Sequence, residues 1–428
     1  MPQDADRANS RKREVSRRAV LSGGAALSAI AGPALIPAEA GAQQANAPLA
    51  VPDWMKEQGA PILSPPYGLP SEYEKHVVRR YREVRATNTA ATTFAPLQEL
   101  YGIITPNGLC FERHHGGVPK IDPAQHRLVL HGMVDRAIAF TMDDLMRFPS
   151  VSRIHFLECS GNTQNWKALK PEFTVQQTHG LVMCCEWTGV LLSTLLDEAG
   201  VRAQARWVLA EGADAAAMAR SVPLAKAMDD AMIVYAQNGE RLRPEQGYPV
   251  RLLLPGFEGN MNVKWLRRIK VGDQPWHTRD ETSKYTDLMP DGKARQFTFM
   301  MEAKSVITRP SGGQQLAGGP GYYEISGLAW SGHGKITRVE VSTDAGQTWR
   351  DAQLQEPVLS KALTRFRAPW QWDGGPAMLQ SRATDETGYL QPKHNELVDV
   401  RGVNSVYHYN AVQTWRVSPT GALTAYVA

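Results

Sequence analysis

The sequence predicts an α+β chain in which a mixed domain of strands and helices is followed by an antiparallel β-sandwich. Between about residue 100 and residue 295, short strand-like segments alternate with short helix-like segments. After Phe299 the pattern changes to alternating segments divided by Gly, Asp and Pro, which is typical of a sandwich. We place the boundary near residue 297, so that the mixed domain spans 96–297 and the sandwich 298–428.

The mixed domain is predicted from local start and stop signals. Thr141 is followed three residues later by Asp144, which resembles the capping box that opens a helix. Gly200 ends a later helical segment, because glycine readily takes the left-handed conformation at a helix end. The predicted elements are a strand at Leu128–Gly132, a helix that opens at Thr141, a helix at Val190–Ala199 and a strand at Val250–Leu254 that Pro255 and Gly256 stop.

The sandwich is predicted from the even spacing of short strands with turn residues between them. Asp344, Ala345 and Gly346 form one such turn. Each strand would bury one face against a facing sheet. The predicted strands are Tyr322–Leu328, Ile336–Ser342, Thr364–Trp372 and Met378–Ala383.

Residues 1–42 are typical of a cleavable export signal rather than a membrane span. Arg17 and Arg18 precede a weakly apolar core and a small-residue cleavage site, which indicates the twin-arginine route. A disordered arginine-rich tail would explain neither the core nor the cleavage site. Because this route carries folded proteins, the signal predicts a periplasmic protein whose cofactor is inserted before export. Residues 43–95, rich in Pro, Ala and charge, predict an arm around the core with a short helix at Glu72–Arg85.

Length and charge narrow the class of protein. The formal charge of +4 falls to +2 without the signal, because residues 1–40 hold six Lys and Arg against four Asp and Glu. So small a charge disfavours nucleic-acid binding. The 386 residues from 43 to 428 are long for one hydrophobic core, which favours two domains.

The four cysteines do not have the spacing of a disulfide framework, even though an exported protein could carry one. Cys184 and Cys185 are neighbours and would be strained if joined, so we expect reduced packing residues. The chain has no Cys-x-x-Cys-His motif, so we expect no covalently attached c-type haem.

Cys159 is the residue that the local sequence singles out. It follows the buried-looking strand Ile154–Glu158 and precedes a turn in which Gly161 lets backbone amides approach a bound group. One thiolate without a nearby Cys or His cannot form a zinc or iron–sulfur site, but it could complete the coordination of a metal carried by an organic cofactor. The alternative is an ordinary buried thiol, since free cysteine is among the most buried residue types.

Five motifs, in order and spacing, resemble those of the sulfite oxidase family of molybdenum enzymes. They are Phe111–His115, Cys159–Asn162, Gly247–Arg251, Pro255–Gly256 and Val263–Leu266. The pattern around Val339–Trp349 is similar to the family's immunoglobulin-like dimerisation domain. The resemblance covers roughly residues 95–428 and implies a sulfite-oxidase-type molybdopterin domain followed by an immunoglobulin-like β-sandwich. Glu281–Met289 and Lys304–Ser311 resemble the sulfane dehydrogenase branch of that family.

The resemblance implies a molybdenum–molybdopterin cofactor and a role for each matched residue. Cys159 would be the thiolate ligand of molybdenum, a soft ligand suited to a metal already bound by dithiolene sulfur. Tyr285 would lie beside the metal, while Arg113 and Arg401 would stabilise negative charge on the substrate. The residues expected to contact the cofactor are Phe111, Arg113, His114, His115, Asp214, Gln246, Arg251, Asn262, Val263 and Lys264.

Taken singly, these residues also have ordinary interpretations. Arg251 could be a strand residue with its charge in solvent, and Lys264 a surface lysine. The two histidines could belong to the core or to turns, and Asp214 lies in a loop-like segment where turn residues are usual. Tyr285 could be a surface or core aromatic residue and Arg401 a turn arginine of the β-domain.

Two residues depart from the family pattern. Gln164 stands where animal enzymes place an arginine, five residues after the cysteine, and we count it among the catalytic candidates for that reason. Loss of a fixed cation weakens a pocket for a small dianion such as sulfite. Gln246 stands where a histidine is usual, which removes a titratable contact to the cofactor.

The resemblance implies two-electron oxygen-atom transfer to sulfur, with electrons leaving one at a time to an external carrier. We therefore expect a dihaem c-type cytochrome subunit as partner, and a sulfur-carrier protein that presents sulfane sulfur on a cysteine during thiosulfate oxidation. The resemblance also implies a homodimer of this chain within a hetero-oligomer, and we expect neither a membrane span nor nucleic acid as partner.

Three other functions remain open at this point. A sulfite dehydrogenase would use the same residues on free sulfite, and turnover on sulfite against carrier-bound sulfane would separate the two. A methionine sulfoxide reductase of this fold would resemble the first domain alone, so the sandwich disfavours it. A secreted binding protein without a cofactor would leave the export signal and the five motifs unexplained, and metal analysis would identify it.

Overall fold

The computed structural model describes residues 70–81 and 90–426 of the chain. The predicted export signal and much of the predicted arm lie outside the described residues. The helix predicted at Glu72–Arg85 is wrong over its described part. A 3₁₀ turn at Glu72–Glu74 is followed by a short strand in which Arg80 and Tyr81 pair with Phe94 and Thr93. Pairing with a strand of the core overrides the local helical preference.

Strands outnumber helices among the described residues. The strands are β1 Arg80–Tyr81, β2 Ala91–Phe94, β3 Arg113–His114, β4 Leu128–Gly132, β5 Ile138–Phe140, β6 Ser150–Glu158, β7 Val182–Leu191, β8 Trp207–Gly212, β9 Ala219–Pro223, β10 Met232–Gln237, β11 Glu240–Arg241, β12 Arg251–Leu253, β13 Leu266–Gly272, β14 Asp287–Leu288, β15 Ala294–Arg295, β16 Lys304–Arg309, β17 Gly321–Trp330, β18 Ile336–Ser342, β19 Arg350–Asp351, β20 Gln353–Leu354, β21 Thr364–Trp372, β22 Ala377–Asp385, β23 Thr414–Val417 and β24 Leu423–Tyr426. The α-helices are α1 Met142–Arg147, α2 Val175–His179, α3 Leu192–Ala199, α4 Leu224–Asp229, α5 Arg279–Thr282 and α6 His394–Arg401. The 3₁₀ turns are Glu72–Glu74, Leu97–Glu99, Asn107–Leu109, Gln164–Ala168, Pro244–Gln246 and Gly259–Met261.

Two five-stranded sheets form the frame of the mixed domain. The first has the order β11-β10-β7-β6, with β12 also paired to β10. The second has the order β5-β4-β13-β8-β9, in which β4 and β13 are parallel and the other pairs antiparallel. A buried cluster that includes Leu195, Val208, Ile233 and Leu252 joins both sheets to helix α3.

Helices α1 and α3 follow their local signals. Thr141 Oγ1 accepts a hydrogen bond from the Asp144 N–H, and the Asp144 carboxylate accepts one from the Thr141 N–H, so the predicted capping box is confirmed. The second predicted helix begins two residues late, at Leu192. Val190 and Leu191 still belong to β7, where they pair with strand β10. Gly200 ends α3 with a φ of 72°, as predicted.

The C-terminal region is the predicted sandwich. A four-stranded sheet of order β16-β17-β21-β20 faces a five-stranded sheet of order β19-β18-β22-β23-β24, and every pair in both is antiparallel. The predicted strands at 336–342 and 364–372 are confirmed with their bounds. The α+β fold class predicted from the sequence is thereby confirmed.

The sandwich shares its core with the mixed domain. The buried cluster between its sheets, which includes Leu328, Trp330 and Phe366, continues into Phe156 and Val182 of strands β6 and β7. Strand β6 carries Cys159 directly after its last residue, so the sandwich packs against the element that positions this thiol. None of the described helices is long and apolar enough to cross a bilayer.

Candidate active site

One cavity collects most of the residues that the sequence singles out. Its wall comes from residues of strands β3, β6, β7 and β12 and from the loops beside β6, β8, β12 and β13. The predicted residues that line it are Phe111, Arg113, His114, His115, Cys159, Asp214, Gln246, Arg251, Asn262, Val263, Lys264 and Tyr285.

Cys159 is held by backbone contacts on both sides. Its N–H donates to the Leu181 carbonyl at 3.0 Å, and its own carbonyl accepts from the Asn162 N–H at 2.8 Å. A Cβ at Gly259 would lie 3.0 Å from Cys159 Cα and 2.7 Å from the Glu158 carbonyl oxygen, so only glycine fits there. Burial raises the pKa of the Cys159 thiol, a cost that a bound metal would offset by taking the thiolate.

Tyr285 reaches the cavity from the loop between α5 and β14. Its hydroxyl lies 3.1 Å from His115 Nε2, and Arg113 Nη2 lies 3.3 Å from His115 Nδ1. The Arg220 guanidinium stands over the Tyr285 ring at 5.3 Å. Burial raises the pKa of Tyr285, so its hydroxyl stays protonated and can donate a hydrogen bond.

Two buried cations in the cavity are held by backbone carbonyls. Arg251 donates to the carbonyls of Gln246 at 2.9 Å and Asn262 at 3.1 Å, and Lys264 donates to the Glu245 carbonyl at 2.8 Å. Burial lowers the pKa of Arg251 to about 10, and burial together with the Arg251 charge lowers the pKa of Lys264 to about 7. Among the described residues, no carboxylate oxygen lies within 4.0 Å of either cation.

An arginine from the arm connects two loops of the cavity. Arg79 Nη1 pairs with Glu112, and Arg79 Nη2 lies 3.5 Å from Glu245 Oε1. Burial opposes the charge of Glu112, but a hydrogen bond from His114 and the charges of Arg79 and Lys264 still lower its pKa. The pairing ties the segment directly before β3, the strand that carries His114, to the turn before Gly247.

The remaining cofactor candidates are fixed by side-chain hydrogen bonds. Gln246 Nε2 donates to the Phe111 carbonyl at 3.0 Å, so the glutamine that replaces the usual histidine connects two loops of the cavity. Asn262 Oδ1 accepts from the Leu254 N–H at 2.6 Å, which leaves its backbone carbonyl for Arg251. Asp214 Oδ1 is buried and finds no hydrogen-bond donor in the described part of the chain.

Two catalytic candidates lie outside the wall of the cavity. Gln164 opens the 3₁₀ turn after Cys159, where its Oε1 packs against Gly161. Arg401 ends helix α6, and only 3% of its surface is exposed. Its Nη2 lies 3.2 Å from Glu302 Oε2 and its Nη1 4.0 Å from Asp287 Oδ2. The charge of Arg401 is thus already balanced by two carboxylates, although its buried Nη1 donates no hydrogen bond within the described residues.

Several lining residues were not identified from the sequence. Met183 and Met218 could not be recognised, because from the sequence alone an apolar residue in a strand or loop is interpreted as part of the hydrophobic core. Asn260 and Trp265 also line the cavity. Both lie within or beside the motifs at 255–256 and 263–266, so their position next to these motifs could have identified them.

The cavity fits a molybdopterin cofactor by its donor chemistry. It holds one soft thiol, and within the described residues Cys159 belongs to no cluster of three or more His, Cys, Asp or Glu. Over the same described ranges, Arg251 and Lys264 have no carboxylate oxygen within 4.0 Å, and Arg251 Nε and Asp214 Oδ1 are buried without a hydrogen bond. A phosphate-bearing ligand with its own metal would satisfy these groups.

Two sequence families cover most of the chain. The family described as "Oxidoreductase molybdopterin binding domain" matches residues 115–279, and "Mo-co oxidoreductase dimerisation domain" matches residues 295–415. Among curated proteins, the mitochondrial sulfite oxidase of Rattus norvegicus is 31% identical over 68% of this chain and 57% of its own length. The NADH nitrate reductase of Ulva prolifera is 32% identical over 63% of this chain and 34% of its own length. The chain thus spans about half, or less, of the length of these relatives.

A solved structure matches more fully. The sulfane dehydrogenase SoxCD from Paracoccus pantotrophus contains a chain that is 47% identical to this one, with a TM-score of 0.86. The match covers 88% of this chain and 98% of the other.

Proposed function

This chain belongs to the sulfite oxidase family of molybdenum enzymes and takes a molybdenum–molybdopterin cofactor, and from that premise we propose that it is a SoxC-like sulfane dehydrogenase. The proposed substrate is sulfane sulfur carried on a cysteine of a SoxYZ-like protein during thiosulfate oxidation. The observation that carries the proposal is the 47% identity to the SoxCD chain over 98% of that chain.

The charges around the cavity support a carrier-bound substrate over free sulfite. A sulfite dianion needs fixed cations, and charge-assisted hydrogen bonds from arginine are the strongest donors for it. Here Arg113 lines the cavity, but Gln164 provides no charge, and the charge of Arg401 is balanced by Glu302 and Asp287. A substrate whose affinity comes from a protein carrier has less need of these cations.

The chain's own residues have defined tasks in this proposal. When bound, the cofactor supplies two-electron oxygen-atom transfer to sulfur, and Cys159 is its protein ligand. Arg251 and Lys264 hold its phosphate. Their contacts to backbone carbonyls do not neutralise their charges, so both cations can still bind an anion. Tyr285 donates a hydrogen bond toward the substrate, with His115 able to hold or return the proton at 3.1 Å.

The proposed partners follow from the electron count. Each turnover yields two electrons, which pass one at a time to an acceptor; we propose a dihaem c-type cytochrome subunit, SoxD-like, and the similarity to a chain of SoxCD supports this choice. The sandwich, which matches a dimerisation domain, would join two copies of the chain within that hetero-oligomer. We place the complex in the periplasm, and replacement of Arg17 and Arg18 by lysine should block export of the folded chain.

The test compares substrates in the loaded enzyme. Turnover is measured on thiosulfate plus the carrier proteins and on free sulfite, each with and without a dihaem cytochrome. We expect the carrier-bound substrate to be preferred, and multiple turnovers only with the cytochrome or a dye. Repeated turnover by the chain alone, or a preference for sulfite, would overturn the proposal.

Cys159→Ser tests the metal site itself. The serine variant should keep the circular dichroism of the wild type but lose turnover by at least about a thousandfold, since a hard oxygen replaces the soft ligand. Molybdenum content is measured in parallel. A variant with full molybdenum and full turnover would show that this sulfur is not the ligand.

A sulfite dehydrogenase is the second candidate. The specific observation in its favour is the 31% identity to a mitochondrial sulfite oxidase over 314 residues. This function would use the same cavity and the same electron acceptor. The comparison of substrates separates the two functions, because free sulfite would then be turned over without any carrier protein.

A further inference from the structure

A fully buried ion pair connects the sandwich to the turn that carries Cys159. Lys304 begins strand β16 of the sandwich, and Glu158 ends strand β6, one residue before the cysteine. Lys304 Nζ lies 2.9 Å from Glu158 Oε1, and the two side chains are 1% and 0% exposed. The proposed mechanism does not use this pair.

The pair holds the turn on both sides of the cysteine. Glu158 also accepts from Asn162 Nδ2 at 2.9 Å and from Trp330 Nε1 of the sandwich at 2.7 Å. Lys304 Nζ donates a second hydrogen bond to Thr163 Oγ1 at 2.8 Å. One ammonium group therefore contacts a residue before Cys159 and a residue after it.

Stability alone is a weak explanation for such a pair. Removal of two charges from water costs several kcal/mol per ion, and an apolar pair of the same volume is often equally stable or more so. Burial lowers the pKa of Lys304, although the Glu158 charge opposes that shift. Unlike an apolar pair, the ion pair makes directional hydrogen bonds, and these are satisfied in only one conformation of the turn.

We propose that Lys304 is a positioning residue for the metal centre: through Glu158 and Thr163 it fixes the turn that sets the direction of the Cys159 sulfur. The sandwich thereby acts on the cofactor site without contributing a ligand. This inference rests on Cys159 as the molybdenum ligand, as in the proposed function, but not on which sulfur compound is oxidised.

The experiment uses three variants of the full chain loaded with cofactor: Lys304→Gln, Glu158→Gln and the double variant. The readouts are the thiolate-to-molybdenum charge-transfer absorption and the electron paramagnetic resonance g-values of the one-electron-reduced state. Both depend on how the sulfur is oriented at the metal. Each single variant leaves one charge buried alone and should shift both signals, with a fall in kcat on the order of tenfold.

The double variant is the rescue. It places two uncharged amides where the ion pair stood, and these can still hydrogen-bond to each other and to Thr163. We expect both spectroscopic signals to return to the wild-type values. Lys361→Gln is the matched control, because Lys361 also connects the sandwich to the mixed domain, at 2.6 Å from Asp230, but does not contact the turn. Its spectra should be those of the wild type.

The inference is overturned if the single variants lose thermal stability while both signals stay unchanged, since the pair would then be structural only. Should Lys304→Gln fail to fold, Lys304→Arg replaces it, because it keeps the charge but not the geometry, and the same two outcomes apply. A wild-type preparation with molybdenum but no thiolate band would instead overturn the assignment of Cys159.

Discussion

Two buried arginine sites of this protein are built in opposite ways. Arg251, in the cavity, donates to two backbone carbonyls and has no carboxylate within 4.0 Å among the described residues. Arg401, at the end of helix α6, lies between the carboxylates of Glu302 and Asp287. A carbonyl orients a guanidinium without neutralising it, so Arg251 can still attract an anion, whereas the charge of Arg401 is already neutralised by protein groups.

The largest expected effect concerns stability without cofactor. Arg401→Met should lower the free energy of unfolding by about 3 kcal/mol, because it leaves the buried carboxylate of Asp287 and the partly exposed carboxylate of Glu302 without their cation. Arg251→Met should cost far less in the cofactor-free protein, since no described carboxylate depends on it as a partner. Urea unfolding of both variants measures the difference. Equal losses would mean that the two arginines are not in different electrostatic settings.

The second prediction concerns affinity for the cofactor, for which Arg251→Met rather than Arg401→Met should have the larger effect. Arg251→Met should lower the affinity for the cofactor by about 1.5–3 kcal/mol, the usual range for a hydrogen bond to a charged group. Molybdenum per chain after purification measures this loss. Arg401→Met should keep full molybdenum in the fraction that folds, and a joint loss in both variants would contradict the comparison.

The third prediction uses pH. Because the pKa of Lys264 is lowered to about 7 in the cofactor-free cavity, its ammonium is present below pH 7 and is lost above it. A bound phosphate favours the ammonium, so affinity for a phosphate monoester should fall by up to about tenfold per pH unit above pH 7. The second ionisation of the ester, near pH 6, is about nine-tenths complete at pH 7 and therefore does not mask the trend above it. Titration calorimetry from pH 6 to 9 measures it, and Lys264→Met should remove the slope.

The smallest expected effect comes from a variant that makes the Arg401 site more like the Arg251 site. Glu302→Gln removes one of the two charges that balance Arg401 and should raise kcat/KM for free sulfite by roughly tenfold, with less change on the carrier-bound substrate. Asp351→Asn is the control, since Asp351 pairs with Arg338 on the exposed surface. Unchanged sulfite kinetics in the glutamine variant would show that the charge of Arg401 does not act on the substrate.

The fold was predictable where local signals decide it. The capping box at Thr141, the glycine end of α3 and the strands of the sandwich each depend on residues that are neighbours in the chain. The helix predicted at 72–85 was wrong because Arg80 and Tyr81 pair with a strand of the core, which no local pattern reveals.

The residues that line the cavity could be predicted from the family motifs, whereas the ion pairs around the cavity could not. Glu302, which balances Arg401, lies 99 residues away from it in the chain and belongs to none of the motifs. The pairing of Lys304 with Glu158 spans 146 residues. Such contacts arise from tertiary packing, so a single sequence shows the charges but not their partners.

The core that continues from the sandwich into strands β6 and β7 has a consequence for engineering. A chimera that receives its sandwich from a relative would bring foreign side chains against Phe156 and Val182, on the strands that flank the turn of Cys159. A junction near residue 297 alone therefore does not preserve this shared core. Moving β6 and β7 together with the sandwich would in turn separate β7 from β10, so Phe156 and Val182 have to be adapted to the incoming sandwich instead.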